Sequence, residues 1–188
     1  MRTLTTIRIC TALLLITGWS QAATAQVSSE QTTSINNTVN LGFQLNQYQR
    51  DFGTGVTLTS PWFANQKIAL RARGNLMFHE HLDGEVMTWT PYINTTLGVV
   101  SMTGRIGDAI RLYGEGGVAG LFPSSDFSSE SFAFGGYGLF GFAFYMTSGS
   151  NYFIEIGGIG TGARADEVAG DPIYSNGLVL SAGFRFSL

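Results

Sequence analysis

Leu178-Val179-Leu180-Ser181-Ala182-Gly183-Phe184-Arg185-Phe186-Ser187-Leu188 is the stretch whose reading decides the fold. Leu178, Leu180, Ala182, Phe184, Phe186 and Leu188 alternate with Val179, Ser181, Gly183, Arg185 and Ser187. A strict period of two sends each set to one side of a β-sheet. Phenylalanines on one face and an arginine on the other predict a strand of a barrel wall, with lipid outside and polar groups within.

The same alternation recurs upstream. Val39, Leu41, Phe43 and Leu45 oppose Asn40, Gly42, Gln44 and Asn46 in a first strand. A second is expected over 54–62, a third over 67–78, a fourth over 87–102 with Pro91 at a bulge or strand end, and a fifth over 109–122. The sixth, 132–145, carries Phe132, Phe134, Phe140, Phe142 and Phe144 on one face. A seventh over 152–162 and an eighth over 173–188 complete an all-β, eight-stranded antiparallel up-and-down transmembrane barrel. Strands of this length suit a tilted crossing of a membrane. Short turns are expected at Asn65-Gln66, 104–108 and 147–151, with longer acidic loops containing 79–85, 127–131 and 164–172.

Charged residues within these strands share the face opposite the apolar one: Arg71 and Arg73 in the third, Arg111 and Glu115 in the fifth, Glu155 in the seventh, Arg185 in the eighth. In a narrow lumen an unpaired charge is costly. The expectation is a polar plug in which Glu115 and Glu155 bridge some of the arginines. Tyr48, Phe52, Trp62, Phe63, Phe78, Trp89, Phe122, Phe132, Tyr145, Tyr152 and Tyr174 fall at strand ends, as aromatic girdles would.

Arg2 and Arg8, an apolar stretch from Ile9 to Ile16, and Ala23-Thr24-Ala25 read as a secretory signal peptide over residues 1–25, with the barrel domain over 26–188. Cys10, the single cysteine, lies in that leader, so no disulfide or cysteine metal ligand is expected beyond it. The whole chain has 10 basic and 13 acidic residues, and loss of Arg2 and Arg8 leaves it more acidic, which argues against nucleic acid as a partner. After the leader, no run approaches the ~18 apolar residues of a helical span.

The signal, the eight alternating strands and the ending Gly183-Phe184-Arg185-Phe186-Ser187-Leu188 resemble the small outer-membrane β-barrels of the OmpA-like and OmpX-like type. The resemblance spans nearly all of 26–188 and implies a location in the bacterial outer membrane, with outer-membrane lipid and lipopolysaccharide as surroundings. It also implies an assembly signal for the barrel assembly machinery in Phe184, Phe186 and Leu188. That family usually ends in an aromatic residue; here Leu188 stands last, which shifts part of the signal to Phe186. Only the barrel half of the OmpA-like pattern is present.

Gly114-Glu115-Gly116-Gly117-Val118-Ala119-Gly120 lacks the helix and the Gly-Lys-Ser or Gly-Lys-Thr of a phosphate-binding loop. His79 and His81 with Asp83 and Glu85 lack a third fixed metal ligand and read as a solvated loop. A lipid A-modifying enzyme would need a histidine, a serine such as Ser128 and a carboxylate brought together, and no spacing supports that grouping. The expectation is a non-enzymatic structural or surface-interaction protein without cofactor or large pore, its N-terminus in the periplasm. A surface ligand would meet acidic outer loops bearing Glu80, Asp83, Glu85, Asp126, Glu130, Asp166, Glu167 and Asp171. The alternatives are a membrane-embedded lipid-modifying enzyme and a secreted β-sandwich binding module.

Overall fold

The structure is a computed structural model that describes residues 37–188 apart from Gly84. The expected signal peptide, Cys10 and the leader through residue 36 lie outside the described residues. Eight strands follow in chain order: β1 (Asn40–Tyr48), β2 (Asp51–Thr59), β3 (Ile68–Asp83), β4 (Val86–Ile106), β5 (Ile110–Phe122), β6 (Ala133–Thr147), β7 (Ser150–Gly160) and β8 (Gly177–Ser187). Each pairs antiparallel with the next, and β8 pairs with β1 to close the ring. Among the described residues, closure leaves no second sheet to cover the outward phenylalanines, so the β-sandwich alternative falls.

Alternation in the sequence becomes alternation in burial. Along β2, every second residue from Asp51 to Thr59 is buried and those between are exposed. Outward Leu45, Ile93, Leu97, Phe134 and Leu178 are between 50% and 68% exposed, whereas inward Arg71, Arg73, Glu115, Glu155 and Arg185 are all 5% or less. In water this arrangement would be inside out; in a bilayer it satisfies both the wall and the backbone.

Outward rings cluster at the two ends of the wall. Phe52 stacks on Phe78 at 5.4 Å and meets Trp89 edge-on at 5.4 Å, and Phe122 lies 5.2 Å from Phe132. Toward the chain termini, Tyr152 lies 5.3 Å from Phe184, and Phe43 lies 6.3 Å from Phe186. Four of the expected girdle residues turn the other way. Tyr48, Trp62 and Tyr174 are buried, and Tyr145 is packed against the buried cluster of Trp62, Ala69, Val100, Tyr113 and Ala143. Tyr48 points inward because β1 runs on past Leu45, giving it the parity of Gln44 and Asn46.

The expected loop over 79–85 is the second correction. β3 continues to Asp83 and β4 starts at Val86, paired Glu80↔Trp89 and Leu82↔Met87. His79 and His81 are therefore strand residues, only 2% and 7% exposed, not solvated ones. β2 begins at Asp51, so β3 after Phe78 has β4 as its only strand partner, and β4 before Ile93 has β3 alone. Pro91 sits in that one-sided stretch, where its missing N–H is tolerated; the register shift of β4 falls instead at Met102/Gly104.

The connections differ in part from the expected asymmetry. Residues 107–109 and 148–149 are short at the terminal end, but 60–67 form a longer connection. It is closed by a Phe63↔Ile68 bridge, and Ala64, Asn65 and Gln66 all take left-handed φ values of 50°, 59° and 61°. At the opposite end, called here the loop end, 49–50 is a tight turn, while 123–132 and 161–176 are long and fold back over the mouth.

Candidate functional site

The lumen is filled in layers. At its centre, the Glu115 carboxylate accepts from Arg71 Nη1 at 2.6 Å and Arg73 Nη2 at 2.5 Å. The Glu155 carboxylate accepts from Arg73 Nη1 at 2.6 Å, Arg185 Nη2 at 2.6 Å and Arg71 Nη1 at 3.3 Å. Three guanidiniums from β3 and β8 thus share two carboxylates from β5 and β7. Tyr137 Oη donates to Glu115 at 2.8 Å and Tyr113 Oη to Glu155 at 2.6 Å. The excess positive charge lies against ring faces: Arg185 sits 3.5 Å from the Phe153 centroid, and Arg71 5.2 Å from that of Tyr113. Arg111 is on the same inward face of β5 but half-buried, next to Tyr113 along that face.

Both tyrosines cross the lumen because glycine stands opposite. A Cβ on Gly98 would lie 2.2 Å from Tyr137 Oη and 2.8 Å from the Gly116 carbonyl, and one on Gly141 would lie 2.3 Å from the Tyr113 ring. Sequence reasoning missed these two glycines. The signal was their inward parity within otherwise bulky strands.

A hydrogen-bonded chain of amides leads from this cluster to the loop end. Arg73 Nη1 donates to Gln44 Oε1 at 3.3 Å, Gln44 Nε2 to Asn75 at 2.9 Å, Asn75 Nδ2 to Asn94 at 3.2 Å, and Asn94 Nδ2 to Ser175 Oγ at 2.9 Å. Its last member belongs to the 161–176 loop, which is thereby stitched into the lumen.

At the loop end, Asp51 at the start of β2 gathers three donors. His79 Nδ1 lies 2.8 Å from Oδ1, while Tyr92 Oη and the Ser175 amide each donate to Oδ2 at 2.7 Å. Phe127 and Tyr174, brought in by the two long loops, cap this group: Phe127 is 5.2 Å from the His79 ring and 5.0 Å from Tyr174. Burial pushes the Tyr174 hydroxyl up to about 12. The loops are tied to each other where Ser129 donates through its amide (2.8 Å) and its hydroxyl to Asp166, holding that carboxyl below its ordinary range.

Asp51 and His79 form a carboxylate–imidazole pair that sequence spacing did not reveal. His79 Nε2 is buried without a hydrogen-bond partner, and Ser128 Oγ is engaged with the Arg164 carbonyl at 3.0 Å. The geometry therefore provides an oriented imidazole but no hydroxyl on it. Among the described residues, no three of His, Cys, Asp and Glu gather as a metal-binding group. Beside the pair, a cavity of about 800 Å³ opens between the 49–50 turn, β3 and the 161–176 loop.

A closed ring of eight antiparallel strands, apolar outside and charged within, is the fold of the small outer-membrane β-barrels. The chain superposes on the crystal structure of the N-terminal β-barrel domain of Pseudomonas aeruginosa OprF with a TM-score of 0.55 and 15% identity, covering 81% of this chain and 98% of that one. It matches the outer membrane protein OprG from Pseudomonas aeruginosa with a TM-score of 0.54 and 14% identity, covering 83% and 98%. No family model and no curated protein matches the sequence.

Proposed function

We propose that this chain is an integral outer-membrane protein exported by its N-terminal signal, with a sealed lumen and a structural or surface-interaction role. The observation that carries the proposal is the inversion of the wall. Large apolar side chains stand uncovered all round the ring while five charged side chains pair with one another inside. Outer-membrane lipid and lipopolysaccharide cover that wall. The barrel assembly machinery reads the outward edge of β8, with Phe184 and Phe186 in the aromatic belt and Leu188 exposed beyond the strand.

The lumen carries no large pore, because guanidinium–carboxylate pairs and crossing tyrosines occupy its section. Partners meet the loop end, where 123–132 and 161–176 present Asp126, Glu130, Asp166, Glu167 and Asp171. Cell fractionation with a heat-modifiability gel tests the reading. The protein is expected in the outer-membrane fraction with a mobility shift on boiling; a soluble periplasmic protein without that shift overturns it.

A further inference from the structure

The unused imidazole at the loop end has a defined chemistry. A carboxylate only accepts hydrogen bonds, so the 2.8 Å contact of Asp51 Oδ1 fixes the proton of the neutral His79 ring on Nδ1. Nε2 is then a lone-pair acceptor, buried and without a partner. Leaving a buried acceptor unmet is unfavourable, yet the ring is held there by Asp51, by the stacked His81 ring at 5.7 Å and by Phe127.

His79 also lines the cavity of about 800 Å³, a volume in the range of small-molecule sites. Leu82, Met87 and Ile173 supply apolar wall, each about half exposed. Both Asp51 oxygens are already taken, so no free carboxylate oxygen of that residue remains to balance a cationic ligand. Arg50 and Glu80 also line the cavity with charges of opposite sign that offset each other, so a neutral donor suits the site better.

We propose that this cavity binds a neutral, largely apolar small molecule through a single hydroxyl that donates to His79 Nε2, with Asp51 as the residue that sets the imidazole to accept. This rests on the reading of the loop end as the interaction face. Tyr92 and Ser175 hold the Asp51 oxygens in place. In Asp51→Asn their donors keep the amide oxygen on Oδ2's side, so the amide NH₂ faces His79 Nδ1. The imidazole proton then moves to Nε2, and the site turns from acceptor to donor.

The test uses the refolded barrel in detergent micelles with ¹⁵N-labelled histidine, since the chain has only two histidines. The probes are 4-octylphenol, its methyl ether 4-octylanisole, and the ketone 4-octylacetophenone. The expected result is a saturable shift of the unprotonated His79 nitrogen with the phenol, and phenol binding about tenfold tighter than the ether, the worth of one hydrogen bond. In Asp51→Asn the phenol advantage is lost and the ketone gains over the ether. His81→Phe leaves one labelled ring and so assigns the shifted nitrogen to His79.

Equal binding of phenol and ether to the wild-type protein, or unsaturable partition of both into micelles, overturns the proposal. The wild-type comparison stands even if Asp51→Asn does not fold. Because binding is measured on purified barrel, its failure leaves the fractionation result untouched, and the reverse holds as well.

Discussion

The centre of the lumen and its loop end are both buried, polar and built from inward strand positions, but they are satisfied to different degrees. At the centre, Glu115 and Glu155 each meet more than one guanidinium and a tyrosine hydroxyl, with Phe153 and Tyr113 backing the arginines. At the loop end, Asp51 is fully engaged while His79 Nε2 and the Tyr174 hydroxyl have no partner. A cavity adjoins the second region, where the centre is closed by ring and guanidinium. The contrast teaches where each kind of polar burial serves: at the centre the carboxylates are saturated and lock strands together, with Arg185 Nε left over but closed off by packing, whereas the unmet imidazole nitrogen, roofed by loops and beside a cavity, is where the molecule has chemistry to spare.

Removing one carboxylate from the saturated region gives the largest expected effect. Glu155→Gln leaves Arg71, Arg73 and Arg185 with Glu115 as the remaining glutamate of the cluster, and breaking a buried pair costs about 3–5 kcal/mol. Urea unfolding of the barrel in lipid vesicles, followed by tryptophan emission, measures it; a loss under ~1 kcal/mol would erase the contrast between the regions. Gly141→Ala comes next. Its Cβ would press on the Tyr113 ring, and overpacking costs about 1–3 kcal/mol. The paired variant Gly141→Ala/Tyr113→Phe relieves little, because the ring carbons as well as the hydroxyl occupy the space.

How far these regions could be read from sequence follows from what alternation encodes. Period two assigns a face, so Arg71, Arg73, Glu115, Glu155 and Arg185 fall on one side of their strands without any structure. Alternation does not say where a strand stops or how it registers with its neighbour. The meeting of Asp51 with His79 depends on β3 continuing past Phe78 and on the Phe52↔Phe78 register. A reading that ended β3 at Phe78 left both histidines in a loop. Phe127 and Tyr174 were illegible for another reason: they sit in loops, which have no periodicity to betray a buried side chain. Trp62 and Tyr48 show the limit of counting aromatics at strand ends, since a ring there can cap the lumen as readily as it can face a lipid headgroup.

The loop end offers a smaller perturbation that sharpens its side of the comparison. Tyr92→Phe removes one of the two donors on Asp51 Oδ2 and leaves the Ser175 amide. A hydrogen bond to a charged group is worth about 1.5–3 kcal/mol, and the retained donor argues for the lower end. The loss is expected to appear as faster hydrogen exchange over 161–176 more than as a shift of the urea midpoint. An equal effect on both would join the loop end to the cooperative core and weaken the contrast.

The smallest effect concerns the tether between the two long loops. Ser129 donates to Asp166 through its amide and its hydroxyl, and these bonds favour the carboxylate. A carboxyl whose folded pKa is depressed lends stability above its unfolded value, about 3.9, and loses it as pH falls through the lower folded value. The tether is therefore intact at neutral pH and is released in acid, as pH falls through the lowered folded value. Ser129→Ala removes the hydroxyl and keeps the amide, so the Asp166 midpoint should rise part of the way toward ~3.9, and the release should move to higher pH with it. Carboxyl ¹³C shifts of Asp166 across an acid titration follow this directly. An unmoved midpoint would mean that the amide alone holds the carboxylate, and that the loops covering His79 are joined by backbone contacts such as the 3.2 Å bond from the Glu167 amide to the Phe127 carbonyl.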